Sequence, residues 1–417
     1  MSNYIFWIGF SFLLVVLFKN NFSKKNVSFD DILFFTAGFI YYMIIPYFYF
    51  FINKESISEG FKGITKFTDI SEEKKCMFLV YIYMFYFLYV LISKYVKKRI
   101  KVKAIEFNWP FLVYDIITIP ICLMAFYYLY RLRSSFMGGY KVDYNKSERG
   151  PLVTLSLFIF IMAIIKVITI IKMKKTKNII NWQMIIYWFI AFFILTIGTR
   201  LYFLATLITV FAIYFTYYKN INTIKFFVAI VLMAIIFSIF GIVRQGKDIS
   251  IDFIVFIFLG EPLYTSYSLF SLLKLNELPW FNFPVNIFVD LINLVPTIIL
   301  PNKMEIMKSL YIKYDYIAPL GAVNVFVNLM ENFGIIGSFF FIIIFAFFVA
   351  LLSKMMPYSY YIILGLLCFS FFREPFSVSI IKYLIQVSLF MPLFYYIVNR
   401  FFIYSTMKIK KKINFSL

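Results

Sequence analysis

The chain has 417 residues, of which 63% are apolar, and its mean hydropathy is +0.86. It contains no histidine, which excludes histidine-ligated metal sites and histidine acid–base chemistry. The formal net charge of +21 does not call for a nucleic-acid partner, because the basic residues follow the membrane topology predicted below.

Apolar runs of about 20 residues recur along the chain, and runs of this length cross a hydrocarbon core of about 30 Å as helices. We therefore predict an all-α, polytopic bundle of about eleven transmembrane helices, with residues 1–417 forming a single membrane domain. The first span lacks a small-residue cleavage site and is predicted to be retained. The predicted spans are 4–18, 32–53, 76–96, 110–130, 152–171, 180–198, 201–218, 226–243, 335–353, 358–372 and 380–401.

Lysine-rich connections such as "KYVKKRIKVK", "KMKKTKN" and the tail "KIKKKINFSL" all fall on one side if the spans alternate. Together with the other connections on that side they hold about half of the basic residues. The positive-inside rule then predicts that the N-terminus lies outside and the C-terminus lies in the cytoplasm. The lipid bilayer is the first expected partner.

Residues 244–334 form a long region on the predicted outer side. Within it, "VNIFVDLINLVPTIILP" and "GAVNVFVNLMENFG" have the pattern of short amphipathic helices that lie on the membrane surface or pack on the bundle. The hydrophobic stretch near 253–273 fits an extra span, a re-entrant segment or an interfacial segment, and the sequence leaves these alternatives open.

Three arginines stand at the predicted outer ends of apolar spans: Arg200 in "IGTRLYFL", Arg244 in "GIVRQGKD" and Arg373 in "FREPF". The planar guanidinium group binds phosphate or carboxylate in a bidentate manner. Each arginine alone is also compatible with snorkelling to headgroups or with pairing to an acid such as Glu374. The three together favour one anionic ligand, and at this depth we expect the diphosphate of a lipid-linked substrate.

Three glutamates on the same predicted side are candidates for a general base: Glu331, Glu261 and Glu374. Burial would raise the pKa of such a carboxylate toward neutrality and suit it to proton abstraction. Glu331 ranks first because it stands at the outer start of a span beside Gly334 and Gly337. A structural ion pair is the alternative for Glu261 and for Glu331.

No metal and no other cofactor is expected, because no metal-ligating cluster stands on the predicted outer side. The pair Asp30–Asp31 resembles a metal-binding acidic pair, but it falls on the predicted inner side and is not assigned to the site. Asp115 and Lys166 lie within spans, where we expect them to pair across helices or to snorkel.

The order of these motifs resembles that of the bacterial oligosaccharide repeat-unit polymerases of the Wzy type, which build O-antigen and capsule. It runs from "GTR" opening a span, through "GAVNVFVNLMENFGIIG" after a long outer region, to "FREPF". The central segment is also similar to a stretch of the related O-antigen ligases, in which a histidine precedes the asparagine. Val323 takes that place before Asn324 here, which argues against the ligase.

The resemblance implies a glycosyltransferase of the bacterial inner (plasma) membrane that acts on its outer face in O-antigen or capsule biosynthesis. Because no metal-ligating cluster is predicted on that side, we expect it to be metal-independent. Such an enzyme transfers the growing glycan from undecaprenyl diphosphate to a new lipid-linked repeat unit, alongside a chain-length regulator and a flippase as partners. The three arginines would bind the diphosphate, and one of the three glutamates would activate the acceptor hydroxyl. The alternatives are a ligase-like or other lipid-linked glycosyltransferase, and a repeat-unit flippase with charge along a central path.

Overall fold

A computed structural model describes most of the chain, and all its regular secondary structure in that part is helical. The described residues are 1–22, 27–53, 67, 69–104, 111–135, 146–172, 181–197, 201–217, 222–244, 249–295, 299–312, 314–398, 400–401 and 404.

Fourteen helices are named here in chain order. They are α1 (Ser2–Phe22), α2 (Asp31–Ile52), α3 (Glu72–Arg99), α4 (Phe111–Arg131), α5 (Lys146–Lys172), α6 (Trp182–Thr196), α7 (Leu201–Tyr217), α8 (Thr223–Arg244), α9 (Ile251–Leu275), α10 (Val285–Asp290), α11 (Lys303–Leu310), α12 (Val325–Met355), α13 (Pro357–Cys368) and α14 (Ser377–Phe390, continuing to residue 398).

Within the described residues, seven helices are long and apolar enough to cross a membrane: α1, α2, α3, α5, α9, α12 and α14. Helices α6, α7 and α13 are apolar but shorter. Helices α4 and α8 match two further predicted spans, although part of each has side chains outside the described set. The predicted all-α, polytopic architecture is confirmed.

Helix α9 corrects the expected length of the outer region. Residues 251–275, which the sequence left open within that region, form a 25-residue helix that is a candidate span. Asp252, Glu261 and Pro262 interrupt its hydropathy, and this explains why the pattern was ambiguous. The segment "GAVNVFVNLMENFG" is helical from Val325 onward and packs on the bundle, one of the two predicted outcomes, and it is joined to the long part of α12 across a kink at Gly334.

Contacts between helix termini define the two ends of the bundle. At the end we call upper, Lys74 Nζ donates hydrogen bonds to the carbonyl oxygens of Leu273 (3.4 Å) and Asn276 (3.2 Å). Lys274 pairs with Asp69 at the same end (2.8 Å). The start of α3 and the end of α9 therefore meet there.

At the opposite, lower end, the first residue of α2, Asp31, forms an ion pair with Lys97 near the end of α3. Lys354, near the end of α12, donates to the carbonyl oxygen of Ile100. Helix α2 therefore runs upward, whereas α3 and the last part of α12 both run downward.

Helix α12 reverses direction at Gly334. The rings of Phe326 and Phe339 lie on either side of this glycine in sequence, yet both pack on Tyr81, at 5.5 and 5.4 Å between ring centres. Phe326 also packs on Phe85 (4.9 Å), which is near the middle of α3. Residues 325–333 therefore form a short helix that starts at mid-depth and rises to the upper end before the chain turns down.

The reversal requires glycine. Gly334 has φ +66° and ψ −167°. Residues other than glycine rarely adopt this backbone conformation. The chain of Pro279–Asn282 packs against it through hydrogen bonds from the Ile335 N–H to the Pro279 carbonyl (2.9 Å) and from the Asn282 N–H to the Phe333 carbonyl (3.1 Å).

Gly334→Ala is expected to lower the thermal midpoint of the purified protein. A Cβ atom at this position would lie 2.6 Å from the Pro279 carbonyl oxygen, and the backbone conformation itself costs about 1–3 kcal/mol for a side chain. Gly150→Ala is the matched control, because its Cβ would meet no atom within 4 Å on a helix and alanine suits helices better. Equal midpoints for the two variants would contradict this account of the reversal.

Candidate functional site

Two interruptions of the helical bundle meet near its mid-depth. One is the start of α12, where the Asn324 side chain accepts a hydrogen bond from the Phe326 N–H (3.1 Å) and caps the helix. The other is the turn between α13 and α14, whose Phe372 carbonyl accepts from the Val325 N–H (3.3 Å). Backbone polar groups in the interior of a membrane protein must be satisfied by the protein or by water, and each interruption satisfies part of the other.

Arg373 stands in this turn between two of the predicted carboxylates. Its Nη1 lies 2.7 Å from Glu374 Oε1, and its Nε pairs with Glu261 Oε1. Tyr42 donates a hydrogen bond to the same oxygen of Glu261 (3.0 Å). We call Arg373, Glu374, Glu261 and Tyr42 the Arg373 cluster. The two carboxylates outnumber the one guanidinium, so with both ionised its formal charge is −1.

The position of Glu261 follows from the proline after it. Pro262 has no N–H, so the carbonyl of Phe258, four residues earlier, loses its usual partner in the helix. The Tyr41 hydroxyl donates to that carbonyl instead. Tyr41 and Tyr42 of α2 thereby fasten this part of α9 and hold the Glu261 carboxylate toward Arg373.

The depth of the Arg373 cluster differs from the prediction. Arg373 was expected at the outer end of a span, but Tyr42, to which its partner Glu261 is bonded, is near the middle of α2. The cluster is nevertheless not closed off, since the side chains of Arg373 and Glu261 are 31% and 37% exposed.

Glu331 occupies a neighbouring, more buried position on the short rising helix. It is 5% exposed, and its carboxylate accepts hydrogen bonds from the Tyr314 N–H (3.3 Å) and from Asn328 Nδ2 (3.2 Å). The Asn328 carboxamide oxygen in turn accepts from the Phe376 N–H (3.2 Å). Asn328 therefore links the predicted base to the turn that carries Arg373.

A second buried carboxyl near this region was not among the predicted residues. Asp290, at the end of α10, is buried and accepts a hydrogen bond from the Tyr311 hydroxyl (3.1 Å). Burial raises the pKa of Asp290 from 3.8 to about 6, although the bond from Tyr311 opposes the shift. A carboxyl group that titrates near neutrality has the property expected of a general base. It was missed because a single aspartate in "FVDLIN" has no sequence signal of burial.

The other two predicted arginines are not placed beside Arg373. Arg200 lies outside the described residues, and Arg244 is the last residue of α8 with a side chain that is also outside them. Their convergence with Arg373 on one ligand stays a prediction.

Two charged groups that were not assigned to the site are internal ion pairs. Asp31 is fully buried at the lower end, where it pairs with Lys97 and accepts hydrogen bonds from the hydroxyls of Tyr89 (2.9 Å), Ser93 (2.8 Å) and Tyr360 (2.7 Å). This set joins α2, α3 and α13.

Asp115 and Lys166 pair across α4 and α5 at 2.8 Å, one of the two outcomes expected from sequence. Trp182 and Gln183 of α6 also donate to the Asp115 carboxylate, at 2.7 and 2.6 Å. A carboxylate within a bundle is expensive unless it is paired and hydrogen-bonded, and this set meets both conditions.

Sequence reasoning identified four of the charged residues gathered in this region but not the neutral ones that orient them. Tyr42 is one of 33 tyrosines and carried no distinguishing signal. Asn328 lies within the quoted motif "VNLMENFG", three residues before Glu331, a spacing that places both on one face of a helix. Comparisons of this chain with models of known protein families, with curated proteins and with solved structures found no match.

Proposed function

We propose that this protein is an oligosaccharide repeat-unit polymerase that uses undecaprenyl-diphosphate-linked substrates in O-antigen or capsule biosynthesis. The observation that supports this best is the meeting of two interrupted helices, where Asn328 connects Glu331, on the helix that rises from mid-depth, to the turn that carries Arg373. A lipid-linked glycan has its reacting carbon beside the diphosphate, where its lipid enters the bilayer. The reaction therefore needs its general base and its positive charge at that depth.

The proposed reaction is a displacement at the anomeric carbon of the donor glycan. The oxygen of an acceptor hydroxyl forms a bond to that carbon, and the bond from the carbon to the diphosphate oxygen breaks. Undecaprenyl diphosphate leaves with the electron pair, and the hydroxyl proton moves to the Glu331 carboxylate. General-base assistance of this kind contributes about 10²–10⁴-fold in rate, and fixed positive charge stabilises the leaving group.

Arg373 takes an indirect part in this proposal. Its guanidinium already pairs with Glu261 and Glu374, so a diphosphate would compete with two carboxylates for it. We therefore assign Arg373 to holding the turn beside Glu331, and leave contact with the diphosphate to Arg200, Arg244 and other cations. Glu261 and Glu374, engaged in the same pairs, rank behind Glu331 as bases.

One observation favours a second function, the transport of a repeat unit. Charged side chains in the middle of a bundle, beside interrupted helices, are also typical of the binding sites of secondary transporters. The Arg373 cluster, bonded to the middle of α2, has this placement.

Deletion of the gene in its host separates the two functions. Loss of a polymerase leaves single repeat units that still reach the cell surface, so gel banding of the surface glycan collapses to one unit. Loss of a flippase removes the surface glycan altogether, and loss of a ligase leaves polymer on the lipid carrier. Full-length banding in the deletion strain would contradict all three assignments.

The proposed orientation places the upper end of the bundle outside the cell. A cysteine introduced at Glu277, exposed at the upper end, should react with a membrane-impermeant thiol reagent in intact cells. A cysteine at Lys101, exposed just after the lower end of α3, should react only after the cells are opened. The reverse pattern would contradict the positive-inside assignment.

A further inference from the structure

Lys382 of α14 has an unusual partner. Its Nζ donates a hydrogen bond to the hydroxyl of Tyr202 (3.0 Å) and lies 5.5 Å from the centre of the Tyr202 ring. Tyr202, in the first turn of α7, is buried, whereas Lys382 is half-buried and so remains accessible from one side.

The surroundings of Lys382 differ from those of the other lysines within the spans. Among the described residues, no Asp or Glu lies within ion-pair distance of its Nζ, whereas Lys97 and Lys166, which also lie within spans, each pair with an aspartate. An ammonium group inside a helical bundle is costly unless an anion accompanies it. A phenol and its ring offset only part of that cost.

Lys382 is also next to the Arg373 cluster. The ring of Tyr383, the following residue, lies 6.5 Å from that of Tyr202, and Tyr383 interacts electrostatically with both Glu374 and Arg373. An anion on Lys382 would therefore lie close to the Arg373 cluster. Arg373 itself has its charge satisfied by carboxylates, which makes Lys382 the better placed cation for a ligand.

We infer that Lys382, supported by Tyr202, binds a phosphate group of a lipid at the edge of the site. This inference rests on the proposed function in taking that lipid to be the polyprenyl diphosphate of the substrate. A lysine ammonium is a compact point charge that suits phosphate. The phosphate of an ordinary phospholipid headgroup offers the same chemistry, and the experiment below separates the two sources.

The test measures binding of farnesyl diphosphate, phosphatidylglycerol and inorganic diphosphate to the purified full-length protein in a neutral detergent. Lys382→Met should weaken binding of farnesyl diphosphate by at least about tenfold, the effect of losing one charge-assisted contact of about 1.4 kcal/mol or more. Lys382→Arg should retain most of the affinity. Lys274→Met is the matched control, because this lysine is exposed at the same end and pairs with Asp69, so its loss should not change binding.

Wild-type affinity of Lys382→Met for farnesyl diphosphate, in protein with an unchanged thermal midpoint, would overturn the inference. Equal or tighter binding of phosphatidylglycerol at Lys382 would overturn the assignment to a polyprenyl diphosphate. The result of this binding test can be told apart from the result of the glycan-extension test of the proposed function. If binding depends on Lys382 but the protein never extends a glycan, only the proposed polymerase function is contradicted. If the protein extends a glycan but binding does not depend on Lys382, only the inference about Lys382 is contradicted.

Discussion

Glu331→Gln is expected to lower single-step glycan transfer by about 10²–10⁴-fold while lipid-linked repeat unit still binds. The carboxylate that would take the hydroxyl proton is lost, whereas the residue keeps its size. The amide presents an NH₂ group to either the Tyr314 N–H or Asn328 Nδ2, both of which are donors. One hydrogen bond is therefore lost, and we also expect a cost of about 1–3 kcal/mol in stability.

Transfer by the Glu331 variant is measured with purified protein whose thermal midpoint is recorded in parallel. Glu277→Gln is the matched control, since that carboxylate is exposed at the same end, and it should transfer at the wild-type rate. Near-wild-type transfer by Glu331→Gln would remove it as the base. Asp290→Asn, Glu261→Gln and Glu374→Gln are then the variants to compare, and activity in every one would remove each of these four carboxylates as the base.

Arg373→Ala should destabilise the protein by up to about 3 kcal/mol, because it leaves Glu261 and Glu374 without their cation. We expect the lower end of the range for a buried pair, since the partners are partly exposed. Adding Glu261→Gln and Glu374→Gln to Arg373→Ala should restore most of the lost stability, because the stranded charges are then removed as well.

The thermal midpoints of the single, double and triple variants measure this coupling. Arg400→Ala is the control for loss of an arginine at an exposed position, where it contacts Tyr396, and should be close to neutral. Strictly additive effects across Arg373, Glu261 and Glu374 would contradict the structural role of the pairs and return Arg373 to the set of free ligand-binding cations.

The helical membrane architecture could be predicted from sequence because long apolar runs have few alternatives in a bilayer. Helix α9 was ambiguous because Glu261 and Pro262 lower its hydropathy, and their roles depend on Arg373 and Tyr41, which are far away in sequence. The reversal at Gly334 was also hidden. Hydropathy placed the start of the span at 335, but it gives no information about the direction of the backbone on the two sides of the glycine.

The candidate site could also be predicted only in part, because its charged residues have a sequence signal but their pairing does not. Charged residues in apolar surroundings are conspicuous, and Arg373, Glu261 and Glu374 were found in this way. Which of them pair with each other is a property of packing between α9 and the turn after α13, and no spacing rule gives it. Lys382 was overlooked because a single lysine near the end of an apolar run is typical of the end of a span. That no carboxylate among the described residues pairs with it is visible only in three dimensions.

The most direct test of the central claim is glycan extension by the purified protein, supplied with one defined undecaprenyl-diphosphate-linked repeat unit and no nucleotide sugar. Products are resolved by length, and released undecaprenyl diphosphate is quantified. We predict a ladder of products, with one undecaprenyl diphosphate released for each unit added, and its collapse in Glu331→Gln. Movement of the intact repeat unit across proteoliposome membranes, with no extension and no release of undecaprenyl diphosphate, would contradict the polymerase and identify a transporter.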